Sequence, residues 1–515
     1  MKLAKPQMIP EIDKYASEKL GIPTRELMRR AGEAIAEAVI VSIAKGGKVR
    51  IFAGKGNNGG DGYAAAIALK DNYDVIVYDV FGCGQRSDEG KYFLDAFSSC
   101  GGTIKSLTFD EDTLDDIRFS DCIVDAVFGT GFVGEYPKET IKLAEIFSSL
   151  EKAYKVAVDV PLGVNALDGS VNNRAIYHAD ATVVLGFIKP GLVSYPAKEY
   201  VGKVIYDNIG LQNETILSNL KFDHYYIDYD LATSFIPKRN RNSNKGTFGK
   251  LLMLTGSSEF NGAAHLSLEA ALRSGVGFVT YLGEKELIST LSAKFPEAIY
   301  KHFSIKKAED SDFANVVKLA EKHTAILIGS GSSRSQGLSK LVEHFLASDG
   351  SPIILDADAI NVLSEYADEG RDLIRNSKRK VILTPHPLEF SRISGVPTDE
   401  LQQNRLHYAI KFATENNCIL VLKGAATIVT DGFDTYINSS GSSALAKAGS
   451  GDVLAGMIAS VIASGVDPIR AAALSVYFHG LAADTLADEF TELGVTPSDL
   501  PREICRQMAK ALKRK

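Results

Sequence analysis

The sequence predicts two unlike α/β domains, each an open and largely parallel sheet with helices wound on both faces. Three observations predict this. At 515 residues the chain is longer than the roughly 250–300 residues at which one hydrophobic core stops growing. Short apolar, β-branched runs alternate with helical stretches, as strands buried on both faces of a parallel sheet do. The alternation lapses once, in the polar and aperiodic stretch around 212–225, and then resumes. The domains are therefore placed at 1–215 and 225–515.

In the first block, Glu11 to Lys45 has a helical spacing, with Leu27, Ala31, Ala34, Ile35 and Ala38 on its apolar side. Lys48 to Ala53, Asp74 to Tyr78, Asp121 to Val127, Lys155 to Val160 and Ala181 to Gly186 follow as strands, each running into glycine or polar turn residues. The block closes at Gly202 to Gly210. In the second, Lys250 to Leu254, Phe278 to Leu282, Ala325 to Ile328, Pro352 to Leu355, Lys380 to Leu383 and Ile419 to Leu422 read as strands. Helices are expected at Gly262 to Ser274, Asn404 to Asn416, Asp452 to Ser464 and Asp467 to Asp484. No period of about 20–50 residues recurs, which excludes a solenoid.

Composition narrows the function. Lys and Arg number 57 against 64 Asp and Glu, a net charge of −7, so a nucleic-acid partner is not expected. Five scattered cysteines contain no CxxC pair, which fits reduced thiols better than disulfides or a zinc site. The opening MKLAKPQMIPEIDKY lacks the apolar core of a signal peptide, and the longest apolar stretch, Val453 to Val466, falls short of the roughly 20 residues a spanning helix needs. A cytoplasmic protein without a membrane partner is the expectation.

Motifs gather at strand ends, where open parallel sheets collect ligands. The first strand runs into Gly54-Lys55-Gly56-Asn57-Asn58-Gly59-Gly60-Asp61-Gly62. Gly54, Gly56 and Gly59 spell GxGxxG and Asp79 ends the next strand, so a plain dinucleotide site is a rival reading. Asn57, Asn58 and Asp61 argue against it, because they put polar and anionic groups where a pyrophosphate wants bare amides. Gly129-Thr130-Gly131-Phe132-Val133-Gly134 forms a second amide-rich loop after Asp125, and Asp159 ends a third strand. Asn58, Asp125 and Asp159 are expected to converge on one pocket, an oxygen-donor set suited to a hard cation.

In the second block, Gly449-Ser450-Gly451-Asp452 opens a helix. Its amides suit a transferring phosphoryl group and Asp452 a proton from the attacking hydroxyl, unless Asp452 merely caps the helix. Lys423-Gly424-Ala425-Ala426-Thr427 follows a strand and is placed to meet a nucleotide phosphate. His386 stands between Pro385 and Pro387; Asp356 and Asp358 end another strand, and Gly329-Ser330-Gly331 a fourth.

These motifs resemble, in order and spacing over essentially the whole chain, those of the bifunctional NAD(P)H-hydrate repair enzymes. GKGNNGGDGYAAA, DAVFGTGFVG, DVPLGVNALDG and FIKPG are similar to the NAD(P)HX epimerase family, a Rossmann-like three-layer α/β/α fold. NKGTFGKLLMLTGS, LDADAINVL, TPHPLEF, LKGAAT and AGSGDVLAG are similar to the ADP-dependent NAD(P)HX dehydratase family, with a ribokinase-like fold. The resemblance implies metabolite repair: epimerisation of the R and S hydrates of NADH and NADPH, and ADP-driven dehydration of the S form, giving AMP and phosphate.

It also implies roles for residues. Asn57, Asn58, Gly59, Gly60, Asp61 and Gly129, Thr130, Gly131, Phe132, Val133, Gly134, Glu135 would cradle the hydrate, with Asp159 and Lys189 as acid/base groups. Asn58, Asp125 and Leu162 would hold one potassium ion per epimerase site. Ala263, Gly331, His386 and Asp452 would face the second hydrate; Lys423, Gly424, Ala425, Ala426, Thr427 and Gly451 would bind the adenine nucleotide with Mg2+, and Asp452 would be the base. A homo-oligomer acting on NADHX, NADPHX and ADP is expected. The chain departs from the family at Leu162, where DxPSG has serine, at Arg29-Arg30, and at Gly329-Ser330-Gly331-Ser332, where GPG is commoner. A ribokinase-like small-molecule kinase with an N-terminal nucleotide-binding module is the alternative.

Overall fold

A computed structural model describes residues 1–82, 86–132, 134–211 and 214–514, and the chain divides into two compact units, Lys2–His224 and Tyr225–Lys515. In the first, strands β1 (Lys48–Ala53), β2 (Asp74–Asp79), β3 (Thr103–Ser106), β4 (Cys122–Ala126), β5 (Tyr154–Val158), β6 (Ala181–Leu185) and β7 (Lys203–Asp207) form one sheet. Their order is β3-β2-β1-β4-β5-β6-β7 and neighbouring strands pair in parallel. The order reverses between β1 and β4, which opens a crevice beyond their carboxyl ends. Buried residues from both faces, including Val49, Ile51, Val77, Val124 and Val156 on one and Phe52, Tyr78, Ile123 and Ala157 on the other, make two apolar layers.

The register sets what happens at that crevice. Phe52 lies opposite Asp125 and Ala53 opposite Ala126, so Gly54 and Val127 leave the sheet side by side. A Cβ on Gly54 would stand 1.9 Å from the Val127 carbonyl oxygen, and one on Gly59 only 2.1 Å from the Gly54 carbonyl. Only glycine lets the helix Asn57–Leu69 start this close to the sheet.

The second unit has β8 (Lys250–Leu254), β9 (Phe278–Gly283), β10 (Ile299–His302), β11 (Ala325–Ile328), β12 (Ile353–Leu355), β13 (Val381–Leu383), β14 (Ile419–Leu422), β15 (Ile428–Thr430) and β16 (Thr435–Asn438). These run in the order β16-β15-β14-β13-β12-β11-β8-β9-β10, parallel from β10 to β14 and antiparallel beyond. The order reverses between β8 and β11. There Gly256 N–H donates to the Ser330 carbonyl at 2.7 Å. Helix Ser450–Ala463 packs on helix Asn261–Arg273, where a Cβ on Gly456 would lie 2.2 Å from the Ser267 carbonyl.

Three features differ from the sequence reading. The long N-terminal helix is two, Ile9–Leu20 and Thr24–Ile40, because Gly21 takes a left-handed φ of 67° and Pro23 follows. Edge strands β3 and β10 carry mostly exposed side chains and so lack an apolar run. The β15–β16 hairpin turns through Asp431-Gly432, a pair that favours such turns. Among the described residues no helix is long and apolar enough to cross a membrane.

Gly59→Ala should cost about 1–3 kcal/mol, since its methyl meets backbone that cannot swing aside. A lower unfolding midpoint in calorimetry, with the helix content retained, is the expected result.

Candidate active sites

The crevice of the first unit is a cavity of about 750 Å3. Asn57, Asn58 and Asp61 line it from the glycine loop, Gly129, Thr130, Gly131 and Phe132 from the loop after β4, and Asp159, Leu185 and Lys189 from the ends of β5 and β6. The N-terminal helices close it with Ile9, Asp13, Leu27 and Met28. An adjoining cavity of about 490 Å3 shares Phe128, Gly129, Thr130 and Phe132 and takes in Gly134, Tyr136 and Leu162. Three expected contacts change. Gly59 and Gly60 pack against Gly54 and the Met28 sulfur and line neither cavity; Glu135 is exposed and also lines neither. Val133 lies outside the described residues.

Asp159 and Lys189 form an ion pair, with Lys189 only 1% exposed. The Lys189 ammonium also donates to the Leu185 carbonyl at 3.1 Å, and Leu185 N–H donates to Asp159 Oδ1 at 3.3 Å. Asp159 has a φ of 64°, a left-handed conformation that aspartate tolerates better than most residues, and its own N–H is held by the Val183 carbonyl at 2.8 Å. Burial pushes the Asp61 carboxyl well above its ordinary value, and the Asp159 and Asp13 carboxylates push it further. Asp13 is raised to about 6 by burial, against the pull of Lys189 and with Asp159 adding to the rise. Neither Asp13 nor its part in this cluster was legible in the sequence.

Asp125 does not join Asn58 and Asp159 in lining the cavity. It is fully buried, accepting from Val127 N–H at 3.2 Å, Leu162 N–H at 2.8 Å and Tyr177 Oη–H at 3.0 Å. Burial raises it to about 6 in spite of these bonds. Asn58 donates through Nδ2 to the Phe128 carbonyl at 2.8 Å, while its buried Oδ1 has no partner among the described residues. An orphaned amide oxygen and a buried carboxylate fit a hard cation. Leu162 does not contribute a side-chain oxygen: its side chain joins the apolar layer and its N–H serves Asp125.

Asp79, the acidic residue of the dinucleotide reading, is bound elsewhere. Arg86 Nη2 meets its Oδ2 at 2.6 Å with both side chains largely buried, and Arg86 Nη1 donates to the Gly54 carbonyl at 2.7 Å. The group that would hold a ribose hydroxyl is thus paired, which removes the main support for a plain dinucleotide site.

In the second unit the strand ends meet around Lys423. Its partly buried ammonium lies 3.3 Å from Asp356 Oδ1, and Asp356, 1% exposed, also accepts from Ser330 Oγ and Thr384 Oγ1, each at 2.7 Å. A Cβ on Gly451 would lie 3.2 Å from Lys423 Nζ, so the LKGAAT and AGSGD segments touch. Burial alone would lower the Lys423 pKa; Asp356, Glu389 and Asp452 outweigh it and hold the ammonium charged. Arg405 pins the loop from behind, donating to the carbonyls of Ala425 at 2.7 Å and Lys423 at 3.0 Å, and Thr427 Oγ1 donates to the Gly424 carbonyl at 2.9 Å. A Cβ on Gly424 would lie 2.7 Å from Arg405 Nη2.

The capping explanation of Asp452 fails. The helix Ser450–Ala463 has Gly449 at its N-cap, with φ 101°, and among the described residues no side chain caps it. Burial and then Asp356 push Asp452 up to about 7, with Lys423 opposing. His479, neutral because burial lowers it to about 4, touches the Ser450 carbonyl through Nε2 at 3.0 Å and braces this turn. Ala263 and Gly331 face each other, a Cβ on Gly331 reaching 2.6 Å from that of Ala263. His386 is held by a capping box as well as by its prolines: Nδ1 accepts from the N–H groups of Leu388 and Glu389 at 3.2 and 3.3 Å, and Glu389 Oε2 accepts from His386 N–H at 2.9 Å. Burial, with Lys423 and Arg392 nearby, lowers its pKa and keeps Nδ1 an acceptor. The carboxylates ring the pocket instead of meeting at a point: among the described residues no three His, Cys, Asp or Glu side chains could hold a metal ion. Arg405 and His479 carried no motif that sequence reading could use.

Two open sheets, each with a carboxylate paired to a lysine and loop amides at the carboxyl edge, define a two-site α/β enzyme. Residues 251–506 match the family described as NAD(P)H-hydrate dehydratase, and residues 24–191 the one described as YjeF-related protein N-terminus. The bifunctional NAD(P)H-hydrate repair enzyme Nnr of Coxiella burnetii (strain RSA 493 / Nine Mile phase I) is 32% identical, covering 96% of this chain and 96% of its own. That of Escherichia coli (strain K12) is 30% identical, covering 95% of this chain and 90% of its own. The ADP/ATP-dependent NAD(P)H-hydrate dehydratase from Bacillus subtilis, co-crystallized with ATP/Mg2+, is 34% identical with a TM-score of 0.50, covering 56% of this chain and 98% of that one. The chain belongs to the bifunctional NAD(P)H-hydrate repair enzymes, with an epimerase and a dehydratase domain. These matches do not favour the small-molecule kinase alternative.

Asp356→Asn removes the carboxylate that fixes Lys423. Dehydration should fall by about one to two orders of magnitude, measured as reduced nicotinamide formed from S hydrate, and Asp356→Glu should recover little because a longer side chain displaces the carboxylate from Ser330, Thr384 and Lys423.

Proposed function

We propose that the first site interconverts the R and S hydrates of NADH and NADPH, and that the second dehydrates the S form at the expense of ADP. The single observation that carries this reading is a carboxylate beside a lysine at each sheet edge, Asp159 paired with Lys189 and Asp356 paired with Lys423, with Asp452 close enough to Lys423 to feel its charge. Each stands where a ring hydroxyl can be gripped by loop amides while its proton is moved.

In the dehydratase site Asp452 takes the proton of the C6 hydroxyl as that oxygen attacks the β-phosphorus of ADP, and AMP leaves. The nicotinamide ring nitrogen then pushes out phosphate, a proton is lost from C5, and the C5=C6 double bond of NAD(P)H is restored. Lys423 balances the phosphate charge, and the amides at Gly451 and in Gly424, Ala425, Ala426 and Thr427 hold the nucleotide. Ala263, Gly331 and His386 face the hydrate. Magnesium bound with the nucleotide would supply charge neutralisation; among the described residues no set of three carboxylates could hold it alone. The choice of ADP follows the family, and the related Bacillus enzyme is described as ADP/ATP-dependent.

In the epimerase site the C6 hydroxyl leaves as water after protonation, the ring nitrogen filling the vacancy as an iminium, and water returns to the other face with loss of a proton. Asp159, oriented by Lys189, exchanges that proton, while Asn57, Asn58, Asp61 and Gly129, Thr130, Gly131, Phe132 surround the ring. Asn58 Oδ1 and Asp125 would hold potassium with main-chain carbonyls, and Leu162 only through its backbone.

Mixed R and S hydrate with ADP tests both halves. The wild-type chain should restore the reduced-nicotinamide absorbance completely. Asp159→Asn should stop at the S fraction; Asp452→Asn should restore none, while R and S still interconvert on a chiral column. Full recovery by either variant overturns its assigned role.

The pH dependence follows from Asp452. A base must be deprotonated to act, so with a pKa of about 7 the dehydration kcat should climb roughly tenfold per pH unit below 7 and level off above it. Replacing potassium by sodium should slow epimerisation and leave dehydration unchanged.

A further inference from the structure

Inversion at C6 needs proton exchange on two faces of one ring, because the leaving and returning oxygens lie on opposite sides. Asp159 and Lys189 are a single ion pair and serve one face. The cavity holds a second set of ionisable groups from other parts of the chain: Asp13 from helix Ile9–Leu20 and Asp61 from helix Asn57–Leu69. Four segments distant in sequence thus bring the carboxyls of Asp13, Asp61 and Asp159 and the ammonium of Lys189 into one enclosure of about 750 Å3, with Lys55 at its rim.

We propose that Asp13 is a further catalytic residue of the first site, the acid/base group that exchanges the proton of the C6 oxygen on the face opposite Asp159. This rests on the epimerase reading above. Asp13 is only partly buried, on a cavity wall otherwise made there by Ile9, Ile12, Leu27 and Met28. No hydrogen bond to another described residue occupies its carboxyl. The charged groups that face it are Asp61 across the glycine-loop helix, Asp159 after β5, Lys189 after β6 and Lys55 on the cavity rim; the helix Thr24–Ile40 offers only uncharged side chains here. The division of labour between Asp13 and Asp61 follows from their surroundings. Burial and the neighbouring carboxyls of Asp159 and Asp13 favour the protonated form of Asp61, in which it can donate a hydrogen bond to the substrate. Asp13, at about 6, can both give and take a proton near neutrality.

The exchange balances. Asp13 as the acid gives its proton to the departing hydroxyl, water leaves with the C–O electron pair, and the iminium forms. Water returning on the other face yields its proton to Asp159. The reverse direction starts from protonated Asp159 and ends with Asp13 protonated, so both epimers turn over.

The test is Asp13→Asn and Asp13→Glu in the full-length chain, with R-to-S interconversion followed by chiral chromatography from about pH 5 to about 8, and S-hydrate dehydration as the internal control of folding. Asp13→Asn should lose at least about a hundredfold in interconversion kcat, keep KM within about twofold, and lose the limb near pH 6; Asp13→Glu should regain part of the rate with the limb displaced. Interconversion by Asp13→Asn within about threefold of wild type with an unchanged profile overturns the inference, as does a raised KM with kcat intact. If Asp159→Asn is inactive while Asp13→Asn is active, this inference falls alone. If the wild-type chain does not interconvert the epimers, the underlying reading falls and takes this one with it.

Discussion

Backbone packed on backbone at the carboxyl edge of β1 and β4 is the constraint on which the first site depends. Gly54 and Gly59 leave no room for a side chain, so the helix that bears Asn58 and Asp61 begins against the sheet itself. That closeness fixes where Asn58 and Asp61 point and brings the loop after β4 into the same wall. The second unit uses the device again, with Gly331 against Ala263 and Gly456 against Ser267. In both, a small-residue seam converts the regular geometry of a parallel sheet into a placed set of polar atoms.

The groups so placed are kept from relaxing. Asp61, Asp125 and Asp452 all sit where burial makes ionisation harder than in water, and Lys423 keeps its charge only because Asp356, Glu389 and Asp452 surround it. Such raised carboxyls reduce stability once pH passes their unfolded values, because the fold then holds a charge it solvates poorly. Neighbouring Arg86, Arg405 and His479 bond to main-chain carbonyls or a carboxylate and so stiffen the frame around each site. The rigidity lies in the frame and the electrostatic tension in the pocket, a division expected of active sites.

Much of this was legible because it is local. Strands announced themselves as apolar runs, and the glycine loops, Asp159, Lys423 and Asp452 sat at their ends. What failed was long-range. Asp125 is a strand-end residue like Asp159, yet its carboxylate turns behind the sheet edge to the N–H groups of Val127 and Leu162 and the hydroxyl of Tyr177. Gly59 and Gly60 read as ligand-facing amides but serve packing. Asp13 reaches the cavity from the N-terminal helix, and Arg86 and Arg405 hold separate loops; no spacing rule connects any of them to what they face. His386 was read from its flanking prolines, whereas its imidazole is also held by the helix amides it caps.

The Arg86–Asp79 bridge bears on how such an enzyme copes with its surroundings. Sound and damaged coenzymes carry the same adenosine ribose, and an acid at the end of the second strand is the usual handle for it. With that handle already clasped by Arg86, the shared ribose loses its acidic anchor there, and a larger share of the grip falls to the ring that differs. A catalyst immersed in a large excess of healthy molecules avoids being clogged by them when it withholds grip from everything the two have in common.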